Sequence, residues 1–325
     1  MDTRFTEEFD IFRKVVAFST SDSWKRVPHV AYLYEPDVTD FFAFYKEMCR
    51  TVTDRRGEAK KITFGTVLLK VIAEGLAAAP RLNAFLRYNS VTSRGRLSVQ
   101  RHVNVTLPWL LGDGKVVTVV VPRVEETSIV DLQAGIEALA RKIDGSNLRE
   151  VLNRTASRDT LRRLASGQTA GFTRLLSVLL GLSKLDSLRG DERRKYYAVD
   201  PSKRLAPEDI SSGTVVISNI GSILSGSTGK FALLDVIAPQ VFAVGISAVR
   251  ESPVVVTSRA GEKTVAIRSI LPFCLVFDHR AFEFGELLPF LRRLDQLFAD
   301  PSLLLPLLGG PHSIQHSFSF REPCS

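Results

Sequence analysis

The chain has 325 residues, 45% of them hydrophobic and 24% charged, a balance that excludes disordered and fibrous classes and fits a globular protein of one or two domains. No apolar run approaches the roughly 18–20 residues of a membrane-spanning helix, and the acidic start from Met1 to Asp10 lacks the basic head and apolar body of a secretory signal. The net charge of +8 is local: 15 basic and 7 acidic residues between Arg141 and Arg204 carry all of it, so nucleic acid is not an expected partner.

Residues 5–25 mix apolar and charged positions at helical spacing, and Val27 to Tyr34 reads as a short strand of β-branched and aromatic residues. A turn at Asp37–Asp40, with Thr39 or Asp40 as the cap, leads into a helix near Phe41 to Thr53. The clearest helix follows, where Val67, Leu68, Val71, Ile72, Leu76 and Ala79 recur at helical spacing and stop before Pro80. Strands are expected at about 84–89, 97–107 and 115–121, and a helix capped by the Thr127–Asp131 segment runs to about Ile143. Five further strands read at Thr214 to Asn219, Val241 to Val249, Val254 to Ser258, Thr264 to Ile267 and Leu271 to Asp278. A closing amphipathic helix spans Phe284 to Phe298.

Residues 144–210 break this alternation and read as basic helices with a polar connection. Within them Phe172, Leu175, Leu176, Leu179, Leu182 and Leu185 form an apolar stripe beside Arg162, Arg163, Arg174 and Lys184. A packed helical hairpin is the plainest reading. A membrane-surface helix over about 160–190 and a lid over an acyl or phosphate-bearing substrate are the alternatives. The tail at 310–325 is turn-forming and polar, and is expected to fray. Cys49, Cys274 and Cys324 are too scattered for a disulfide framework or a metal motif and suit a reducing cytoplasm; no metal is expected, including at His312 and His316. His29 and His102 read as packed or surface side chains.

The chemistry is carried by Phe273-Cys-Leu-Val-Phe-Asp-His-Arg-Ala-Phe-Glu-Phe-Gly285. An apolar strand ends in Asp278-His279-Arg280, which holds an imidazole rigidly at the strand mouth, where a side chain that titrates near neutrality serves proton transfer. On local chemistry alone the commoner role of such a histidine is structural.

His279 to Glu283 resembles the His-x-x-x-Asp-Gly signature shared by chloramphenicol acetyltransferases and 2-oxoacid dehydrogenase acyltransferases, and Phe277-Asp-His-Arg280 resembles the fuller form of the latter. Other blocks agree in order: Val27-Pro-His-Val-Ala-Tyr, Lys61-Ile-Thr-Phe through Pro80-Arg-Leu-Asn-Ala, Asp113-Gly-Lys-Val-Val-Thr-Val-Val-Val, Gly213-Thr-Val-Val-Ile-Ser-Asn-Ile-Gly221, Pro239-Gln and Ala243-Val-Gly-Ile-Ser. The resemblance implies an α/β two-layer sandwich of the chloramphenicol acetyltransferase-like type, one domain over 1–309 with the insertion 144–210. It implies a homotrimer with sites shared between chains, and direct acyl transfer. Coenzyme A or an acyl carrier protein thioester would give its acyl group to a small thiol or hydroxyl acceptor, with His279 as general base and Ser218 as the oxyanion donor, from neighbouring chains. Specialised metabolism is one home for such a domain.

Two features depart from the family pattern. Glu283 stands where the family has Asp or Asn, and Phe284 displaces the glycine to Gly285. In the family this acid bonds an N-terminal arginine, for which Arg13 is the nearest match, so Arg13–Glu283 is expected to brace the loop. The sequence also shows no lipoyl domain, hence no lipoyl group in cis. A non-catalytic trimeric scaffold and a trans-acting acyltransferase subunit of a 2-oxoacid dehydrogenase are the rival readings.

Overall fold

The computed structural model describes residues 4–9, 11–51, 61–112, 114–148, 150–151, 188, 190–210, 213–224, 226–258 and 260–309. The chain forms two compact units. The larger comprises Ser19–Val105, Pro122–Ala134 and Thr214–Ser325; the smaller comprises Met1–Phe18, Thr106–Val121 and Gly135–Gly213.

The helices are α1 Ile11–Arg26, α2 Thr39–Thr51, α3 Phe64–Ala78, α4 Ile129–Asp144, α5 Gly190–Ala198 and α6 Leu288–Ala299. The strands are β1 His29–Tyr34, β2 Ala84–Asn89, β3 Arg94–Val99, β4 Val105–Leu110, β5 Val116–Val121, β6 Val215–Asn219, β7 Phe242–Ile246, β8 Arg250–Thr257, β9 Lys263–Ile270 and β10 Phe273–Asp278.

The larger unit is built on four strands in the order β1-β10-β7-β6. β10 runs antiparallel to β1 and β7, whereas β6 and β7 are parallel. Every residue of β7 and β10 is buried, because both faces of the sheet are covered, and their sequences are correspondingly apolar without alternation. On one face Phe273 and Phe242 meet Phe298 and Phe290 of α6 at ring-centroid distances of 6.0 and 5.4 Å. On the other, Ala243, Cys274 and Val276 pack with Val27 and Val236, against Phe231 and Leu234.

α3 starts where the Thr63 hydroxyl accepts the Thr66 N–H at 3.3 Å and ends two residues before Pro80. Gly75 allows α6 to come close: a Cβ there would lie 2.5 Å from Leu294 Cδ1. The buried Lys70 ammonium donates to the carbonyls of Val124 and Glu125 at 3.2 and 2.6 Å, tying α3 to the loop before α4. Burial there pushes its pKa down from the ordinary lysine value, and Glu74 and Glu125 offset part of that shift. In the smaller unit β4 and β5 are neighbours, and the Tyr197 hydroxyl of α5 donates to Glu150 at 2.6 Å.

Several expectations need correction. The single strand read over 97–107 is two: β3 pairs with β2 in a separate two-stranded ribbon, and β4 begins six residues after β3 ends. The break falls where Gln100 N–H and the Asn83 side-chain amide bond across the connection rather than along a strand. α2 is capped by Asp37, whose carboxylate accepts the Thr39 N–H at 2.9 Å and its hydroxyl at 2.6 Å, not by Thr39 or Asp40. β8 and β9 are longer than read, since their ladder extends from Arg250↔Ile270 to Thr257↔Lys263. The closing helix opens with a 3-10 turn over Phe284–Leu287 before α6 proper. The apolar stripe at 172–185 and the tail beyond Gly309 lie outside the described residues, as do Asp113 and Cys324. No helix among the described residues is long and apolar enough to cross a membrane.

Candidate functional site

His279 follows the buried end of β10. Its backbone N–H donates to the Pro28 carbonyl at 3.1 Å, while its side chain is 46% exposed. The turn is fixed from inside by Asp278, which is 1% exposed. The Asp278 carboxylate accepts Arg280 Nε and Nη2 at 2.9 and 2.7 Å, and the Arg280 backbone N–H at 3.0 Å. This hydrogen-bonded pair raises the Arg280 pKa above its ordinary value, and the guanidinium also lies 5.1 Å from the Tyr88 ring centroid. Asp278 and Arg280 are therefore positioning residues.

His279 Nδ1 is 3.4 Å from the Phe282 carbonyl oxygen and 3.8 Å from Glu283 Oε2. Both are acceptors, so the neutral ring is held with its proton on Nδ1 and the lone pair on Nε2. The Phe282 carbonyl was not legible in the sequence, because a backbone acceptor carries no residue signature. Glu283 is itself held at its backbone, its N–H donating to Glu286 at 2.8 Å, and its side chain is 82% exposed. Phe284, the bulky departure from the family turn, packs edge-on against Tyr32 at 5.1 Å. Arg13 lies on α1 within the smaller unit, with an exposed side chain, and Glu283 lies in the larger.

Ser218 sits on β6 opposite Gly245 of β7. Gly245 pairs with Cys274 of β10, five residues before His279. At about 3.3 Å per residue this places Ser218 and His279 about 17 Å apart along the strands, besides two strand spacings across them. Ser218 also shares the face of Val216, which packs on the Phe231–Leu234 side, whereas Phe242 and Phe273 mark the helical side. The fold does not bring the two residues together within one chain. Asn219 points the other way, its Nδ2 within 3.3 Å of where a Cβ on Gly65 would stand.

Among the described residues the two other histidines, His29 and His102, are accounted for by packing, while His312 and His316 lie outside them. His29 Nε2 accepts the Val236 N–H at 2.9 Å. His102 Nδ1 lies 3.0 Å from Glu125 and 3.3 Å from Glu126, a convergence of three metal-capable groups among the described residues. Arg123 pairs with Glu126 and the Val103 N–H with Glu125, so the cluster already works as a tie between the 102–103 segment and the loop before α4.

The family described as 2-oxoacid dehydrogenases acyltransferase (catalytic domain) matches residues 3–152 and 193–306. The chain belongs to that family. Its matched residues omit 153–192, inside the segment read as an insertion. The chain is 24% identical over 296 residues to the dihydrolipoyllysine-residue acetyltransferase component of the pyruvate dehydrogenase complex of Haemophilus influenzae, covering 90% of this chain and 40% of that one. It is 26% identical over 292 residues to the corresponding component of Pseudomonas aeruginosa, with the same coverages. The chain thus spans about 40% of the length of these relatives. Among solved structures it resembles the cubic core of a pyruvate dehydrogenase multienzyme complex, with a TM-score of 0.61 at 22% identity over 93% of this chain and 94% of that one. A dihydrolipoamide acetyltransferase of Azotobacter vinelandii gives a TM-score of 0.61 at 21% identity over the same shares. The mixed α/β fold is that of these catalytic cores.

Proposed function

We propose that this member of the 2-oxoacid dehydrogenase acyltransferase family transfers an acyl group between coenzyme A and a thiol, with His279 as general base. The carrying observation is the imidazole at the mouth of β10, with Nδ1 turned to the Phe282 carbonyl and Nε2 left for the substrate. The acceptor S–H gives its proton to Nε2, and its sulfur attacks the thioester carbonyl. The oxyanion so formed accepts a hydrogen bond from the Ser218 hydroxyl, a contribution on the order of 3 kcal/mol in a dry site. Collapse expels the second thiolate, which takes the proton back from His279.

The separation of about 17 Å along the strands means that His279 and Ser218 of one chain cannot serve one carbonyl. The working site therefore takes His279 from one copy and Ser218 from another, which a homotrimer supplies. The relatives' names specify a dihydrolipoyllysine residue, which favours a dihydrolipoyl thiol over an acceptor of specialised metabolism. The solved Azotobacter vinelandii enzyme was investigated for the roles of one serine, one histidine and one asparagine in its catalytic mechanism, the last two four residues apart. His279 and Glu283 have that spacing here.

The test is acetyl transfer from acetyl-CoA to dihydrolipoamide. His279→Ala is expected to lower kcat by about 10²–10⁴-fold with an unchanged circular-dichroism spectrum, and Ser218→Ala to lower it less. Full activity in His279→Ala would overturn the catalytic reading and leave a trimeric scaffold in its place.

A further inference from the structure

We infer that His102, Glu125 and Glu126 bind a divalent transition-metal ion of the zinc class, which clips the connection before β4 to the loop before α4. The inference is independent of the chemistry at His279.

The site is assembled from two loops. His102 lies between β3 and β4, and Glu125 and Glu126 lie between β5 and α4. Nothing in the spacing along the chain marks them, since His102 stands 23 residues before Glu125 and meets it only through the fold. His102 Nδ1 is 3.0 Å from Glu125 Oε1 and 3.3 Å from Glu126 Oε1, and one ligand atom of each residue lies within 4.8 Å of the other two. A neutral imidazole has a single N–H to offer at Nδ1, so it serves one of these oxygens and leaves the second carboxylate beside the first with no proton of its own. A cation bound among the three removes that conflict. The spacing suits one, because bonds of about 2.0–2.1 Å in a tetrahedral site set neighbouring ligand atoms roughly 3.3 Å apart.

Each ligand is also held from behind. Glu125 Oε2 accepts the Val103 N–H at 2.9 Å, and Glu126 Oε2 accepts Arg123 Nε at 2.8 Å. The His102 carbonyl accepts Asn83 Nδ2 at 3.0 Å, and the Glu125 carbonyl accepts Lys70 Nζ at 2.6 Å. Outer contacts of this kind orient metal ligands. Arg123 and Lys70 thus hold an outer oxygen and a backbone carbonyl, and both Oε1 atoms remain directed at the imidazole. His102 and Glu125 are half-buried while Glu126 is exposed, which gives an ion a path from solvent. Three protein ligands keep a fourth tetrahedral position for water. An imidazole with two carboxylates selects zinc or cobalt over magnesium and calcium, which take oxygen ligands.

The probe is Zn²⁺ alone, titrated calorimetrically into the full chain after chelator treatment. The native protein is expected to bind one Zn²⁺ saturably and to melt at a higher temperature as zinc is raised, with no such rise in Mg²⁺. His102→Ala is expected to weaken binding by more than the roughly 10–100-fold that loss of an outer contact costs. Glu126→Gln, which keeps the shape of an exposed side chain, is expected to weaken it on the order of tenfold, and it decides the matter should His102→Ala fold poorly. His312 and His316 offer zinc another histidine pair, so a double variant, His312→Ala with His316→Ala, is titrated beside them and is expected to bind as the native chain does. Absence of saturable binding in the native protein would overturn the inference. Binding that survives Glu126→Gln undiminished, or that is lost in the His312 and His316 variant, would overturn it as well.

Discussion

At the scale of single residues the decisive group is Glu283, because it meets His279 rather than standing apart from it. Its Oε2 is 3.8 Å from His279 Nδ1, too long for a hydrogen bond. At 82% exposure solvent screens much of any interaction between them. Glu283→Gln is therefore expected to slow acetyl transfer only a few-fold, mostly in kcat, with an unaltered melting temperature. If Glu283 instead braces the turn against Arg13, the variant would keep its rate and lose thermal stability. Initial rates measured beside a thermal melt separate the two.

Among elements, the tightest requirement is the crossing of α3 and α6. An alanine at Gly75 would gain up to about 1 kcal/mol in helix propensity. Its Cβ, however, would lie 2.5 Å from Leu294 Cδ1 and 2.7 Å from Phe290 Cδ2, and overpacking of this kind costs about 1–3 kcal/mol. The clash wins, since Phe290 is itself buried against Phe242. Gly75→Ala is expected to lower the denaturation midpoint in urea without a change in slope.

The chain after β1 is held to the β8 entry by charge. Glu35 pairs with Lys230 at 2.8 Å and Arg250 at 3.0 Å, and the hydrogen bond from Lys230, ahead of the charge of Arg250, holds its carboxyl below the ordinary 4.5. A depressed carboxylate stabilises the fold above its unfolded pKa, and that stabilisation fades as pH falls through the lower folded value. Glu35→Gln should then reduce stability at about pH 7 by no more than about 1 kcal/mol, as solvent screens so exposed a group. Below the folded value, where both forms are protonated, variant and native melts should converge. A constant difference across that range would mean that packing, not charge, is lost.

For the whole molecule, the distance between His279 and Ser218 makes assembly a condition of the proposed chemistry. Multi-angle light scattering at micromolar concentration is expected to give three times the 36.0 kDa chain mass. A second check uses two impaired variants together: His279→Ala and Ser218→Ala, mixed after reversible dissociation, should exceed the averaged rate of the two parents, since some reassembled sites would carry an intact residue from each parent. Active monomers, or no recovery on mixing, would remove the shared site.

Much of this was open to reading in the chain itself. The apolar run Phe273–Phe277 fixes a buried strand, and its Asp-His-Arg ending fixes an imidazole at the strand mouth, because burial of the run leaves the histidine nowhere else to stand. The helix before Pro80 follows from spacing and from proline's missing N–H. Tertiary structure alone decided what depends on partners distant in sequence. It split the strand read over 97–107, because β3 satisfies its backbone with β2 and β4 does not. It set the His279 tautomer through a backbone carbonyl, and it separated Ser218 from His279 through the register of β6, β7 and β10. It also brought His102 to Glu125 and Glu126, since spacing along the chain carries no sign of which loops the strands set side by side.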